Sequence, residues 1–136
     1  MKRLFISLLL FSVFLATVLL ISCDDSITNN NIDKVKIPSQ NVSYKEYIQP
    51  VFNYKCATAE CHDDATRAGD YSMTTWTNVR KTNVVIPYSV ETSILAWRIE
   101  GLGLGIMPPF DLRSVPLTEN QIEGIKTWIK EGAENN

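Results

Sequence analysis

Beyond the apolar run at the amino terminus, apolar residues recur at helical spacing in the segment from Ser43 to Lys55. Ser43 and Glu46 form a capping-box pattern, which predicts that a helix begins there. Pro50 interrupts the pattern and removes one backbone donor, so we expect a kinked or two-part helix that ends near Lys55. The apolar positions of this helix are Tyr47, Ile48, Val51 and Phe52.

The clearest helical pattern lies near the carboxyl end. Thr118 and Gln121 form a second capping box, and Gly132 supplies a stop. Two weaker patterns predict a helix over residues 91–100 that ends at Gly101, and one or two turns over residues 74–81. In the short helical segment over residues 74–81, Trp76 and Val79 are expected to face the core. The last helix carries one apolar stripe, formed by Ile122, Ile125, Trp128 and Ile129.

The segments between these patterns lack periodicity. Residues 56–72 and 101–116 are predicted to be loops, and no stretch has the alternation of a strand. The sequence therefore predicts an all-α domain of about four helices. Loops of this length in a small domain need something else to organise them, and a large buried cofactor would do so.

The amino-terminal apolar run predicts export. Lys2 and Arg3 precede an apolar stretch over residues 4–21, which predicts a signal peptide over residues 1–22. The sequence Leu-Ile-Ser-Cys at its end resembles the bacterial lipoprotein signal, in which the cysteine is acylated after cleavage. Cys23 would then carry the lipid, and the alternative is an uncleaved membrane anchor. Both interpretations place the rest of the chain outside the cytoplasm, on the periplasmic face of a membrane or at the cell surface.

The remaining chain divides into a polar tether and one domain. Residues 24–42 are rich in Asp, Asn, Ser and Thr, so we predict a lipid-anchored flexible tether over residues 23–42 and a domain over residues 43–136. The formal net charge of −2 argues against a nucleic-acid partner, because binding phosphates needs clustered Lys and Arg.

Two cysteines and the single histidine carry the candidate chemistry. Cys56 and Cys61 are followed directly by His62, a C-x4-C-H pattern that is two residues longer than the usual C-x-x-C-H haem c attachment signal. The thiols would attach one haem and His62 would bind its iron, while the extra residues loop out. A disulfide between the two cysteines and a zinc site that includes a nearby acidic residue are the alternatives.

Met107 is the candidate for the second iron ligand. It ends a glycine-rich run from Gly101 and is followed by Pro108 and Pro109, which restrict its backbone. A His and Met pair commonly holds haem iron and raises its reduction potential. The glycines are expected to let the backbone approach a flat cofactor closely. Met73 is the rival ligand, and Met107 could instead be a core residue.

The order of these motifs resembles that of small bacterial cytochrome c domains of the planctomycete and Bacteroidota lipoprotein type. The resemblance covers residues 44–133 and implies a cytochrome c fold in which the first and last helices cross, with Val51 and Phe52 meeting Ile125 and Trp128. It also implies thioether bonds from Cys56 and Cys61, and iron ligation by His62 and Met107. The matching segments are 47–52, 56–62, 93–95, 98–99, 107–109, 117–118, Ile125, 128–129 and 132–133.

This resemblance implies an electron carrier rather than an enzyme, with one covalent haem c. Its partner would be a redox protein or a membrane redox complex. One alternative is a disulfide-stapled surface lipoprotein without haem that acts as a binding module. Another is a haem enzyme or gas sensor, which would require that Met107 leave the iron open.

Overall fold

The computed structural model of the protein describes residues 31–80, 84–103, 105–110 and 115–136. The predicted signal peptide and Cys23 lie outside the described residues. None of the helices in the described ranges is both long and apolar enough to cross a membrane.

The first helix, α1, has two parts, as the position of Pro50 predicts. It opens with a wide π-helical segment, Tyr44–Ile48, and continues as a regular α-helix, Gln49–Lys55. The Ser43 hydroxyl accepts a hydrogen bond from the Glu46 amide at 3.2 Å, so the capping residue is the predicted one. Pro50 lies in the first turn of the regular part, where a missing N–H costs least.

Helix α4, Glu119–Lys130, has the predicted capping box. The Gln121 amide donates to the Thr118 hydroxyl at 3.3 Å, and the Thr118 amide donates to the Gln121 side chain at 2.9 Å. Of the predicted apolar stripe, Ile125, Trp128 and Ile129 are buried and Ile122 is partly buried. The prediction for this element is confirmed.

Two shorter helices lie between α1 and α4. Helix α2 spans Trp76–Arg80 and buries Val79 completely. Helix α3 spans Ile94–Glu100 and ends at Gly101 in the left-handed conformation (φ 73°), as predicted. It begins three residues later than expected because Ser93 is extended and its hydroxyl bonds to Ile86 and Ser89 of the preceding loop. With no strand in the described ranges, the fold is all-α, as predicted.

Aromatic side chains join the first and last helices. The ring of Trp128 lies 5.2 Å from that of Tyr44 and 6.1 Å from that of Phe52, measured between ring centroids. Each of the three residues is at most 2% exposed. Burial of a large apolar side chain contributes about 1.5–3 kcal/mol, so this cluster is a major source of stability. The predicted meeting of Phe52 and Trp128 is confirmed.

Residues 31–42, which we call the strap, pack on the domain, whereas the sequence predicted a solvated tether over this range. Ile32, Ile37 and Val42 are at most 5% exposed. The Ile37 backbone exchanges two hydrogen bonds with the Asn120 side chain, at 2.9 and 3.0 Å. The scattered hydrophobic residues of the strap therefore belong to the core, and the packed unit includes residues on the amino-terminal side of residue 43.

The strap crosses α4 at a glycine. A Cβ at Gly124 would lie 2.6 Å from Cγ2 of Ile37, closer than side chains pack. Glycine in the middle of a helix costs about 1 kcal/mol relative to alanine, so its presence here is explained by the passage of the strap.

We expect Gly124→Ala to destabilise the protein by about 1–3 kcal/mol, because the new methyl group overpacks the contact with Ile37. Helix propensity alone predicts the opposite sign, a gain of about 1 kcal/mol. Denaturant unfolding followed by tryptophan fluorescence measures the difference.

The control is the pair Ile37→Ala and Ile37→Ala/Gly124→Ala. With the Ile37 side chain shortened, the Gly124 substitution should cost little or become stabilising. Equal costs of Gly124→Ala in both backgrounds would show that Ile37 does not limit the space at Gly124.

Candidate functional site

One cavity of about 450 Å³ opens between the end of α1, the loop after it, α3 and the loop that follows α3. This volume lies in the range typical of small-molecule and cofactor sites. Its apolar walls include Ala59, Ala68, Val84, Ile94, Leu95, Ile99, Pro108 and Pro109.

All four residues predicted for the site lie on the wall of this cavity: Cys56, Cys61, His62 and Met107. The first three are close in sequence, but Met107 comes from a separate loop that the fold brings to the same cavity. Met73, the rival ligand, also contributes to the wall and is 3% exposed.

The longer spacing between the cysteines is taken up by a tight turn. The Cys61 amide donates to the Thr58 carbonyl at 3.1 Å, and Glu60 has a left-handed conformation (φ 68°) at the exposed third position of this turn. The His62 amide then donates to the Cys56 carbonyl at 3.1 Å. The turn thus keeps both cysteines and the histidine at the cavity, and its own residues Thr58, Ala59 and Glu60 also contribute to the cavity wall.

Cys56 and Cys61 are free thiols. This finding speaks against the disulfide alternative. Burial, reinforced by the neighbouring Cys61, raises the pKa of the Cys56 thiol to about 12, while Lys55 acts in the opposite direction. Cys56 is therefore a neutral thiol at pH 7. The described residues also offer no group of three His, Cys, Asp or Glu side chains for the zinc alternative.

The imidazole of His62 is oriented by a backbone carbonyl. Its Nδ1 lies 3.1 Å from the carbonyl oxygen of Tyr71, which can only accept, so Nδ1 carries the proton and donates. The Tyr71 ring packs edge to face against the imidazole at 5.7 Å, and the Tyr71 hydroxyl donates to the Val79 carbonyl at 3.1 Å. Nε2 is left with the lone pair needed to bind a metal.

The loop that carries Tyr71 is held by a carboxylate. Asp64 accepts hydrogen bonds from the hydroxyls of Ser72 at 2.7 Å and Thr74 at 2.8 Å, and these bonds hold the pKa of Asp64 below its usual range. The Met73 amide between them donates to the His62 carbonyl at 2.9 Å. Met73 is therefore tied to the histidine loop itself, whereas Met107 is carried by an independent segment.

Met107 is fixed by the end of α3. Its amide donates to the Arg98 carbonyl at 2.7 Å, and Nη1 of Arg98 donates to the Gly105 carbonyl at 3.3 Å. The Met107–Pro108 peptide is cis and Pro108 is buried.

The glycines before Met107 do not serve the predicted purpose. Gly101 and Gly105 have φ values of 73° and 88°, which favour glycine, and neither contributes to the cavity wall. They allow the backbone to turn, and they do not bring it close to a cofactor. Leu104 in the same run lies outside the described residues.

Comparison with known families bears on the part of the chain that contains most of this site. A family model described as planctomycete cytochrome C matches residues 59–111, a range that includes Cys61, His62 and Met107. The match supports a small bacterial cytochrome c-like domain. Neither a curated protein nor a solved structure matches the chain. Cys56, α1 and α4 lie outside the matched range, so their roles rest on the structure.

The cavity fits haem c by the chemistry of its donors. Two free thiols could form the two thioether bonds, an oriented imidazole could bind iron, and the thioether of Met107 could supply a second ligand. The apolar walls suit a flat macrocycle.

The fold also places two cationic residues on the cavity wall, Lys55 and Arg98, which sequence analysis did not select as site residues. Each lies in a predicted helix, where a single charged residue gives no local signal of a site. The Tyr71 carbonyl was missed for a different reason, because backbone groups leave no trace in the sequence.

Proposed function

We propose that this protein is an electron-transfer c-type cytochrome. One haem would be bound covalently through Cys56 and Cys61, with His62 and Met107 as axial ligands. The observation that carries the proposal is the convergence of these four residues on one largely apolar cavity. The match to the planctomycete cytochrome C family over residues 59–111 agrees with it.

When bound, haem c supplies the exchange of one electron between ferric and ferrous iron. The residues of this chain supply orientation and environment. The Tyr71 carbonyl, by accepting from Nδ1, makes His62 a stronger donor and fixes its ring. Ligation by Met107 would favour the reduced state, and the apolar walls would limit water access. The electron would come from, or pass to, a one-electron redox protein or a membrane redox complex.

Our second candidate, a haem enzyme or gas sensor, needs an open iron position. The bond between the Met107 amide and the Arg98 carbonyl favours the electron carrier, because it holds the methionine at the cavity independently of the histidine loop.

The proposal predicts covalent haem in the full chain expressed in bacteria with haem c maturation machinery. The reduced protein should have a sharp cytochrome spectrum, and the colour should remain with the protein after extraction with acidified acetone. Cys56→Ala/Cys61→Ala should lose all covalent haem.

A variant that lacks Thr58 and Ala59 restores the usual C-x-x-C-H spacing and serves as the maturation control. Colour in this variant alone would mean that the host machinery rejects the longer spacing. A colourless protein in both forms, from a strain that matures a known cytochrome, would favour the disulfide-stapled binding module.

Met107→Ala should convert the low-spin spectrum to a high-spin one and lower the reduction potential, because the thioether ligand is lost. Met73→Ala is the matched control, since it also removes a methionine from the cavity wall and should leave the spin state unchanged. An unchanged spectrum of Met107→Ala would instead support the enzyme or sensor with an open iron position.

We further propose that the protein is exported and anchored by a lipid at Cys23. This proposal rests on the sequence pattern over residues 1–23. Wild-type protein should incorporate radiolabelled fatty acid and sediment with membranes, whereas Cys23→Ser should do neither. Membrane association of an unlabelled Cys23→Ser variant would favour the uncleaved anchor.

A further inference from the structure

A buried lysine contributes to the wall of the candidate cofactor cavity. Lys55 is the last residue of α1, its side chain is 1% exposed, and it contributes to the cavity wall. Lysine is almost never fully buried unless its charge is paired. Its position therefore calls for an explanation beyond the favourable interaction of a cation with the end of a helix.

Two segments that are distant in sequence hold the charge in place. Nζ of Lys55 lies 2.5 Å from a carboxylate oxygen of Asp33 in the strap and donates to the Pro116 carbonyl at 2.6 Å. The side chain of Asp33 is 48% exposed and also accepts from Gln121 at 3.2 Å. The cation is thus buried, while the compensating anion faces solvent.

The field of Lys55 reaches the thiol that would carry the haem. Its charge acts to lower the pKa of the adjacent Cys56, against the larger effect of burial. A buried charge interacts strongly because the surrounding dielectric constant is low, whereas solvent screens the half-exposed carboxylate of Asp33. The pair therefore presents a net positive field to the cavity.

We propose that the Lys55–Asp33 pair sets the reduction potential of the bound haem, with Lys55 raising the potential and Asp33 moderating it. This inference rests on the proposed function. Reduction adds one electron from an external donor to ferric iron and gives ferrous iron, while no bond to the protein forms or breaks. The site loses one positive charge in this step, so a nearby cation favours the reduced state and a nearby anion favours the oxidised state.

The inference gives the strap a functional role. Asp33 belongs to the segment that links the domain to the proposed membrane anchor, and it reaches the cavity through Lys55. The amino-terminal segment would then adjust the electron affinity of the site as well as stabilise the fold.

The test is the midpoint potential of the haem-loaded full chain, titrated with dithionite and ferricyanide and followed by its spectrum. Lys55→Met should lower the potential by about 59 mV, which corresponds to a tenfold change in the ferrous to ferric ratio for one electron. Asp33→Asn should raise the potential by a smaller amount. Lys126→Met is the matched control, because Lys126 is paired with Glu100 and Glu123 away from the cavity, and it should cause no shift.

The opposite signs separate an electrostatic role from a structural one. Loosening of the site would move both potentials in the same direction, so shifts of equal sign, or no shift in either variant, would overturn the inference. Should Lys55→Met fail to fold, Lys55→Gln replaces it. Loss of haem from both Lys55 variants, with haem retained by Lys126→Met, would show a structural role only and overturn the inference.

The same experiment separates the inference from the proposed function. Haem-loaded wild-type protein whose potential does not respond to Lys55 or Asp33 overturns the inference and leaves the cytochrome assignment intact. Absence of covalent haem from both wild-type protein and the variant that lacks Thr58 and Ala59, in a strain that matures a known cytochrome, overturns both.

Discussion

The contact between the first and last helices determines where the site can form. Tyr44 and Phe52 of α1 pack on Trp128 of α4, and this packing fixes the direction in which α1 ends. Lys55 is the last residue of α1 and Cys56 follows it, so the first thiol and the buried cation are both positioned by the aromatic cluster. A change at these rings would therefore alter the cavity even though none of them contributes to its wall.

Beyond α1, the site depends on a small number of backbone hydrogen bonds. His62 is joined to the Tyr71 segment through its ring and through its carbonyl, which accepts from Met73. Met107 is joined to the end of α3 through Arg98. Each candidate iron ligand is thus held by a different segment. A bound haem would connect the two segments and would add stability to a domain whose loops contain little regular structure.

The sequence predicted the elements whose determinants are local. A side-chain cap at Ser43 and a capping box at Thr118 define the starts of α1 and α4, and Gly101 defines the end of α3, because these features depend on residues within one turn. The candidate ligands were also found, since two cysteines, the single histidine and a Met-Pro-Pro run form recognisable patterns.

Other features could not be predicted because they depend on long-range contacts. Single hydrophobic residues in a polar segment gave no periodicity, so the packing of Ile37 on Gly124 was missed and the strap was taken for a tether. The available signal of this contact was Gly124 itself, a glycine in the middle of a sequence that otherwise favours a helix. The pairing of Lys55 with Asp33 joins two segments whose charges look ordinary in isolation.

If the chain is anchored as proposed, the packing of the strap also limits how far the domain can move from the membrane. If Cys23 carries a lipid, as proposed, only eight peptide steps separate it from Asn31, where the described structure begins. At about 3.5 Å per residue, these steps span at most about 28 Å. The free tether predicted from the sequence would have allowed more than twice this distance. Electron exchange would then be confined to partners that lie in, or close to, the same membrane surface, and it would depend on lateral diffusion in two dimensions.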